Sequence, residues 1–346
     1  MVPGWPYSLI TALEEGSTSW TAPLDVARLP PGADGTEACA RQVRDLIERL
    51  TCAGHHRDGD PSVLVVVDAG YDSPRLAFLL ADLPVQVLGR LRSDRVLYSP
   101  AEHLAPSAAG RPAKHGSPLR MGAPGTWPAE RVDTTGPTRR YGRARARAWD
   151  RMHPRLTHRS AWADHSGELP VIEGTLVLLE VEALPSRRAP KPLWLWSSAT
   201  GLGPDEVDGL WWSYLRRFDI EHTFRFLKQH LGWDAPRLRD PAAADRWGWV
   251  VIAAYTQLRL ARSLVSDVRL PWQRPVELHR MSPGRVRRGF RYLHARLPGL
   301  VGVLRPSRPG PGRPPGSRNK RSAPRYGVPK KHKTGTTSRP RDKQAG

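Results

Sequence analysis

The stretch "SVLVVVDAGYDSP", residues 62–74, decides how this chain is read. Val63 to Val67 form an unbroken apolar run, the mark of a buried strand. The run stops on Asp68. Ala69 and Gly70 turn the chain, and Ser73-Pro74 opens a helix, "PRLAFLLADL", with proline where a missing N–H costs nothing. Upstream, "TEACARQVRDLIERLTCAG" (36–54) has a helical period and a stop at "AG". Before it, "WPYSLITALEEGSTSWTAPLDVARLP" (5–30) reads as two strands joined by the turn-rich "EEGSTS". Downstream, "VQVLGRLR" (85–92) is a further strand. The order strand, strand, helix, strand, helix, strand predicts an α/β fold with Asp68 at the carboxyl end of a central strand. That is where α/β sheets meet their ligands, although many end a strand on Asp merely to cap the next turn.

The chain has 346 residues, enough for one large domain or two smaller ones. Its formal charge is +21 and its pI near 10.9, a balance that favours nucleic acid or another anionic surface. The cations are mostly Arg, and Ala, Gly and Pro are also abundant, so coding bias contributes to that charge. Cys39 and Cys52 suggest neither a disulfide framework nor a zinc site; each reads as a small buried hydrophobe in a reducing interior. No apolar run is as long as a membrane span, and no basic start precedes an apolar stretch. The expectation is a cytoplasmic, nucleoid-associated protein.

Residues 99–165 are rich in Pro, Gly and Arg and read as loops and basic surface. Within them "RRYGRARARAWDRMHPRLTHR" (139–159) packs cations, among them Arg143, Arg145 and Arg147, around an aromatic pair. The bland reading is a solvated arginine face. Strand patterning resumes at "GTLVLLEVEALP" (174–185) and "KPLWLWSSAT" (191–200). A near-continuously apolar helix follows at 242–265, as a buried core helix requires. Residues 305–346 hold one acidic residue among Pro, Gly, Ser, Lys and Arg, and are expected to be a disordered basic tail. Its "GPGRPPGSRNKR" (310–321) is similar to a minor-groove hook, the plainer reading being a non-specific phosphate-binding tail.

Between these lies "WWSYLRRFDIEHTFRFLKQHLGW" (211–233), read as one helix. At about 100° per residue, Tyr214, Arg217, Glu221 and Lys228 share an arc of roughly 60° beside the apolar face. A glutamate at the edge of a core, flanked by cations, suggests a site for a metal and a phosphate. Ordinary i,i+4 and i,i+7 charges on a solvated face give the same spacing. Asp68 and this stripe, separated by a basic insertion, form the layout of a two-metal phosphoryl-transfer site on a ribonuclease H-like sheet. Divalent ions there need acidic oxygens brought together from distant elements.

At these residues the chain resembles the DDE transposases of bacterial insertion sequences, in the branch with a Tyr-x2-Arg-x3-Glu-x6-Lys signature. Tyr214, Arg217, Glu221 and Lys228 meet it in type and spacing, and "DAGYDSPRL" (68–76) is similar to the segment carrying the second acid. "MVPGWPYSLI" and "VLGRLRSDRVLY" also look like stretches of this group. The resemblance covers roughly residues 1–300. It implies a ribonuclease H-like mixed sheet with flanking helices, split into residues 1–98 and 191–304 by an insertion at 99–190, with the tail at 305–346. It implies Asp68 and Glu221 as ligands of a shared Mg²⁺ or Mn²⁺, and Tyr214, Arg217 and Lys228 on the DNA backbone at transposon ends. Arg143, Arg145 and Arg147 would meet DNA from the insertion, and a homodimer would pair two ends.

The family carries three acids, the first on the sheet's first strand. Counting back from Asp68, the strands run out at Met1. The reading therefore expects that strand to lie before Met1 and the chain as written to be an incomplete or inactive transposase. Asp25 is the nearest substitute acid. The alternative is a non-catalytic protein that coats DNA without sequence preference.

Overall fold

The computed structural model describes residues 5–14, 18–101, 113–185 and 188–296. The tail expected at 305–346 lies outside these. The chain begins with a hairpin of β1 (Tyr7–Leu13) and β2 (Thr21–Arg28), then runs through α1 (Gly35–Cys52), β3 (Val63–Val67), α2 (Ser73–Leu79) and β4 (Val85–Leu91). A short pair follows, β5 (Val96–Tyr98) and β6 (Pro118–Arg120). Next come β7 (Val132–Thr138), β8 (Gly142–Met152), β9 (Gly174–Val181) and β10 (Leu193–Ser197). Four helices close the described chain: α3 (Pro204–Arg216), α4 (Asp219–His230), α5 (Pro241–Leu260) and α6 (Pro283–Arg296).

The main sheet has six strands in the order β3-β4-β10-β9-β8-β7. β3 and β4 are parallel, with Val67 opposite Gly89, and every other pair is antiparallel. A parallel pair needs a crossover, and α2 supplies it. Asp72 caps α2 by accepting from the Arg75 N–H, and Pro74 occupies its first turn. Gly89 lets β4 pass close under α2, where a Cβ would lie 1.8 Å from Ser73 Oγ. The result is an α/β, ribonuclease H-like mixed sheet with flanking helices.

One face of the sheet packs on α3. Ala144, Ala146, Ala148, Val177, Leu179 and Leu195 meet Val207, Leu210, Trp211 and Tyr214 there. The other face gathers Trp149, Leu176, Leu178, Trp194 and Trp196 around β5 and β6. A third core lies under α1 and α2, built from Cys39, Val43, Ile47, Leu76, Leu80, Val67 and Val87. Ile10 of β1 and Val63 and Val65 of β3 flank this core. Among the described strands β1 has only β2 as neighbour and β3 only β4.

The hairpin also packs on the last helices. Trp20 is 1% exposed, donates from Nε1 to the Met281 carbonyl at 2.6 Å, and lies against Tyr255. Tyr7 donates to Asp245 at 3.0 Å; burial, then that carboxylate, pushes its hydroxyl up to about 12. Arg259 and Arg262 both hold Glu14.

Three expectations change. The stretch read as loops and basic surface contains β7 and β8, which extend the main sheet. The segment read as one helix over 211–233 is two helices, parted at Arg217-Phe218. Cys39 is buried, and burial pushes its thiol up to about 11, but Cys52 is exposed on the last turn of α1.

Candidate active site

Asp68 is the first residue beyond β3, and its side chain is 50% exposed. Its Oδ1 accepts from the Ala69 N–H at 2.8 Å and from the Tyr214 hydroxyl at 3.3 Å. Tyr214 ends a core stripe of α3 and is itself buried. Burial raises its hydroxyl above the ordinary tyrosine range, against the lowering pull of Arg217, so it stays protonated and donates.

The break between α3 and α4 aims the next two groups. Here the N–H of Phe218 bonds the Leu215 carbonyl, that of Ile220 bonds Arg217 and that of Glu221 bonds Phe218, all three residues back. Such tight turns advance the chain faster around the axis than an α-helix does. Glu221 therefore lies in the first turn of α4, where the helix dipole favours a carboxylate.

Arg217 sits between the acids. Its Nη1 is 3.6 Å from Asp68 Oδ2, and its Nη2 is 3.9 Å from Glu221 Oε1. The guanidinium carbon lies 5.4 Å from the centre of the Tyr214 ring. Asp68 and Glu221, distant in sequence, thus face each other across one guanidinium, their nearest oxygens within about 10 Å of each other given the span of that fork.

The remaining predicted residues do not join them. Lys228, near the end of α4, places its ammonium 5.9 Å from the Phe224 ring, and no ion pair joins it to Asp68 or Glu221. On β8 the alanines 144, 146 and 148 face α3, so Arg143, Arg145 and Arg147 face the other side of the sheet. Arg145 pairs with Asp133 at 2.5 Å, and Arg147 pairs with Glu180 at 2.9 Å and covers the Trp127 ring. Both charges are thus already matched. The tip of the β7–β8 hairpin comes nearer: Arg140 pulls on the Asp219 carboxyl, which burial nonetheless holds above the usual range. Asp25, the candidate substitute acid, is turned onto α1, accepting from Gln42 at 2.7 Å with Arg49 at 3.4 Å.

The sequence reading missed Arg90. It follows Gly89, the partner of Val67 across the parallel pair, and so stands on the strand beside Asp68. With Ala69, Arg92, Ser93 and Asp94 it lines an open depression of about 500 Å³. Arg92 is tied to Asp94 at 2.7 Å. The signal was available, because parallel registry puts the residue ending one strand beside its neighbour on the next.

Two carboxylates converging on one cationic position are hard oxygen donors of the kind Mg²⁺ and Mn²⁺ prefer. Asp68 and Glu221 supply two such donors, on either side of one guanidinium. Among the described residues no third His, Cys, Asp or Glu joins them in a metal-sized group, so a donor set for two ions is not assembled from these residues.

Fold and site together define a class: a ribonuclease H-like sheet with acids gathered at the carboxyl end of its parallel pair. Residues 1–155 match the model of a family described as DDE superfamily endonuclease, and so this part of the chain is similar to a DDE transposase-like nuclease domain. The match includes β3 and Asp68 and stops short of α3, α4 and Glu221. No curated protein matches the chain. No helix among the described residues is long and apolar enough to cross a membrane.

Proposed function

We propose that the chain is a DDE transposase of the Tyr-Arg-Glu-Lys branch, acting on phosphodiester bonds of double-stranded DNA at the ends of a mobile element. The observation that carries this reading is the meeting of Asp68 and Glu221 at one cationic position beside Arg90. Asp68 and Glu221 would hold a divalent ion, Mg²⁺ or Mn²⁺. When bound, that ion supplies Lewis-acid activation of the attacking oxygen and stabilises the charge on the leaving one. Tyr214 holds Asp68 in place by its hydrogen bond. Arg90 offers a guanidinium, suited to a phosphate oxygen, at the mouth of the site. In the full reaction two such chains would act as a homodimer on paired ends.

The test is nicking of supercoiled DNA by the purified chain with Mn²⁺, alongside Asp68→Asn and Glu221→Gln. Nicking that needs Mn²⁺ and is lost in both variants supports the proposal; nicking that survives both sinks it. A second reading is favoured by one observation, the absence of a third acid at the described site. On that reading the chain binds DNA through its charge and cuts nothing. Salt-sensitive DNA binding without any Mn²⁺-dependent nicking would select it.

A further inference from the structure

Arg217 is held more loosely than the best-paired arginines of this protein. Arg75 reaches Asp34 and Glu37 at 2.5 Å each, and Arg145 reaches Asp133 at 2.5 Å. These are short, charge-assisted bonds that fix an arginine in place. Arg217 stands between two carboxylates at 3.6 and 3.9 Å, both beyond good hydrogen-bond length. Its Nε is buried without a partner, and its side chain is only 22% exposed. A half-buried guanidinium that matches neither carboxylate closely, with the Tyr214 hydroxyl as its other side-chain partner, is loosely held where it is.

We propose that Arg217 is a resident counter-ion of the acid pair, and that a divalent ion binds by displacing it. This rests on the reading of Asp68 and Glu221 as ion ligands. An ion that bonds the two oxygens facing Arg217, at about 2.0–2.6 Å each, takes the place the guanidinium fork now holds. In the ion-free protein Arg217 neutralises one of two facing negative charges and keeps them from repelling each other. On ion binding it loses both carboxylate partners at once, and its fork becomes available to a phosphate oxygen of bound DNA. Arrival of the ion is thereby coupled to presentation of a phosphate-binding group. Long, partly exposed ion pairs of this kind stabilise little, so displacement is cheap.

The experiment is calorimetric titration of the full chain with Mn²⁺, for wild type, Arg217→Gln, Arg44→Gln and Asp68→Asn. Loss of a unit charge a few ångströms from the ion is expected to tighten Mn²⁺ binding about tenfold in Arg217→Gln. Arg44→Gln removes a unit charge at the end of α2 away from Asp68, where it pairs with Asp82, and is expected to change affinity about twofold at most. Asp68→Asn is expected to abolish binding. Should neither wild type nor Arg217→Gln bind Mn²⁺, the ion-ligand reading falls and takes the displacement with it. Should wild type bind in a manner sensitive to Asp68→Asn, but Arg217→Gln leave affinity unchanged or Arg44→Gln match its effect, the displacement alone falls. A second measurement needs no variant. Phenylglyoxal modification of wild-type Arg217, followed by peptide mapping, is expected to speed up severalfold when Mn²⁺ is added. Equal or slower modification overturns the proposal.

Discussion

Gly89 shows how much one missing methyl group supports. A Cβ there would lie 1.8 Å from Ser73 Oγ and 2.9 Å from both Ser73 Cβ and Val67 Cγ2. Ser73 is fully buried and its hydroxyl has no partner, so it has little room to turn away. Gly89→Ala must therefore push β4 from α2 or from Val67, the residue before Asp68. The expected cost is about 1–3 kcal/mol, seen as a lower urea midpoint, because overpacked interiors cost this much. Trp20 is the converse case, a large side chain removed. Trp20→Ala empties a site 1% exposed and frees the Met281 carbonyl of its donor. The expected loss is about 3–5 kcal/mol in the same measurement. Tyr214→Phe is milder: it removes a 3.3 Å bond to a half-exposed carboxylate, and is expected to cost about 0.5–1.5 kcal/mol while leaving the fold intact.

At the scale of elements, α1 and α2 are joined by one clamp. Asp34 caps α1, accepting from the N–H groups of Thr36 and Glu37, and also holds Arg75 of α2. Burial pushes the Asp34 carboxyl up, but Arg75 and the two capped N–H groups outweigh it and leave it below the usual carboxylate range. A carboxylate depressed in the folded state stabilises fully above its unfolded pKa of about 3.9 and loses that contribution as pH falls through the lower folded value. The acid limb of the wild-type stability profile below about pH 4 should therefore flatten in Asp34→Asn. At neutral pH Asp34→Ala is expected to cost about 1–2 kcal/mol from the cap alone, read by chemical denaturation. The clamp's helices and β3 were legible because their apolar periods are strong. β8 was not, although "GRARARAWDRM" alternates in the strand period: the buried positions of its alternating half, 144, 146 and 148, are alanines, small and poor in strand propensity, and the arginines between them look like solvated surface. The parting of α3 from α4 was hidden for a different reason. Arg217 and Phe218 keep helical dihedrals, so neither a glycine nor a proline marks the place. Asp68 and Glu221 could be named from strand end and spacing. Arg217's place between them depends on a tertiary approach that no local pattern carries.

For the whole molecule, the charge of +21 predicts binding to duplex DNA with little sequence preference. Affinity should fall steeply with salt, with a log–log slope of about −0.9 per neutralised phosphate, and deletion of 305–346 should make that slope shallower. Anisotropy titrations of a labelled duplex at several salt concentrations check both; a flat response contradicts them. The seating of Trp20 on Met281 and of Glu14 on Arg259 and Arg262 has a consequence for the protein's birth. The hairpin leaves the ribosome well before the helices that cover it are made. At synthesis rates of about 5–20 residues per second, its tryptophan waits on the order of 10–50 s for its partners. During that interval the nascent chain presents an uncovered apolar hairpin to whatever chaperone stands at the exit tunnel.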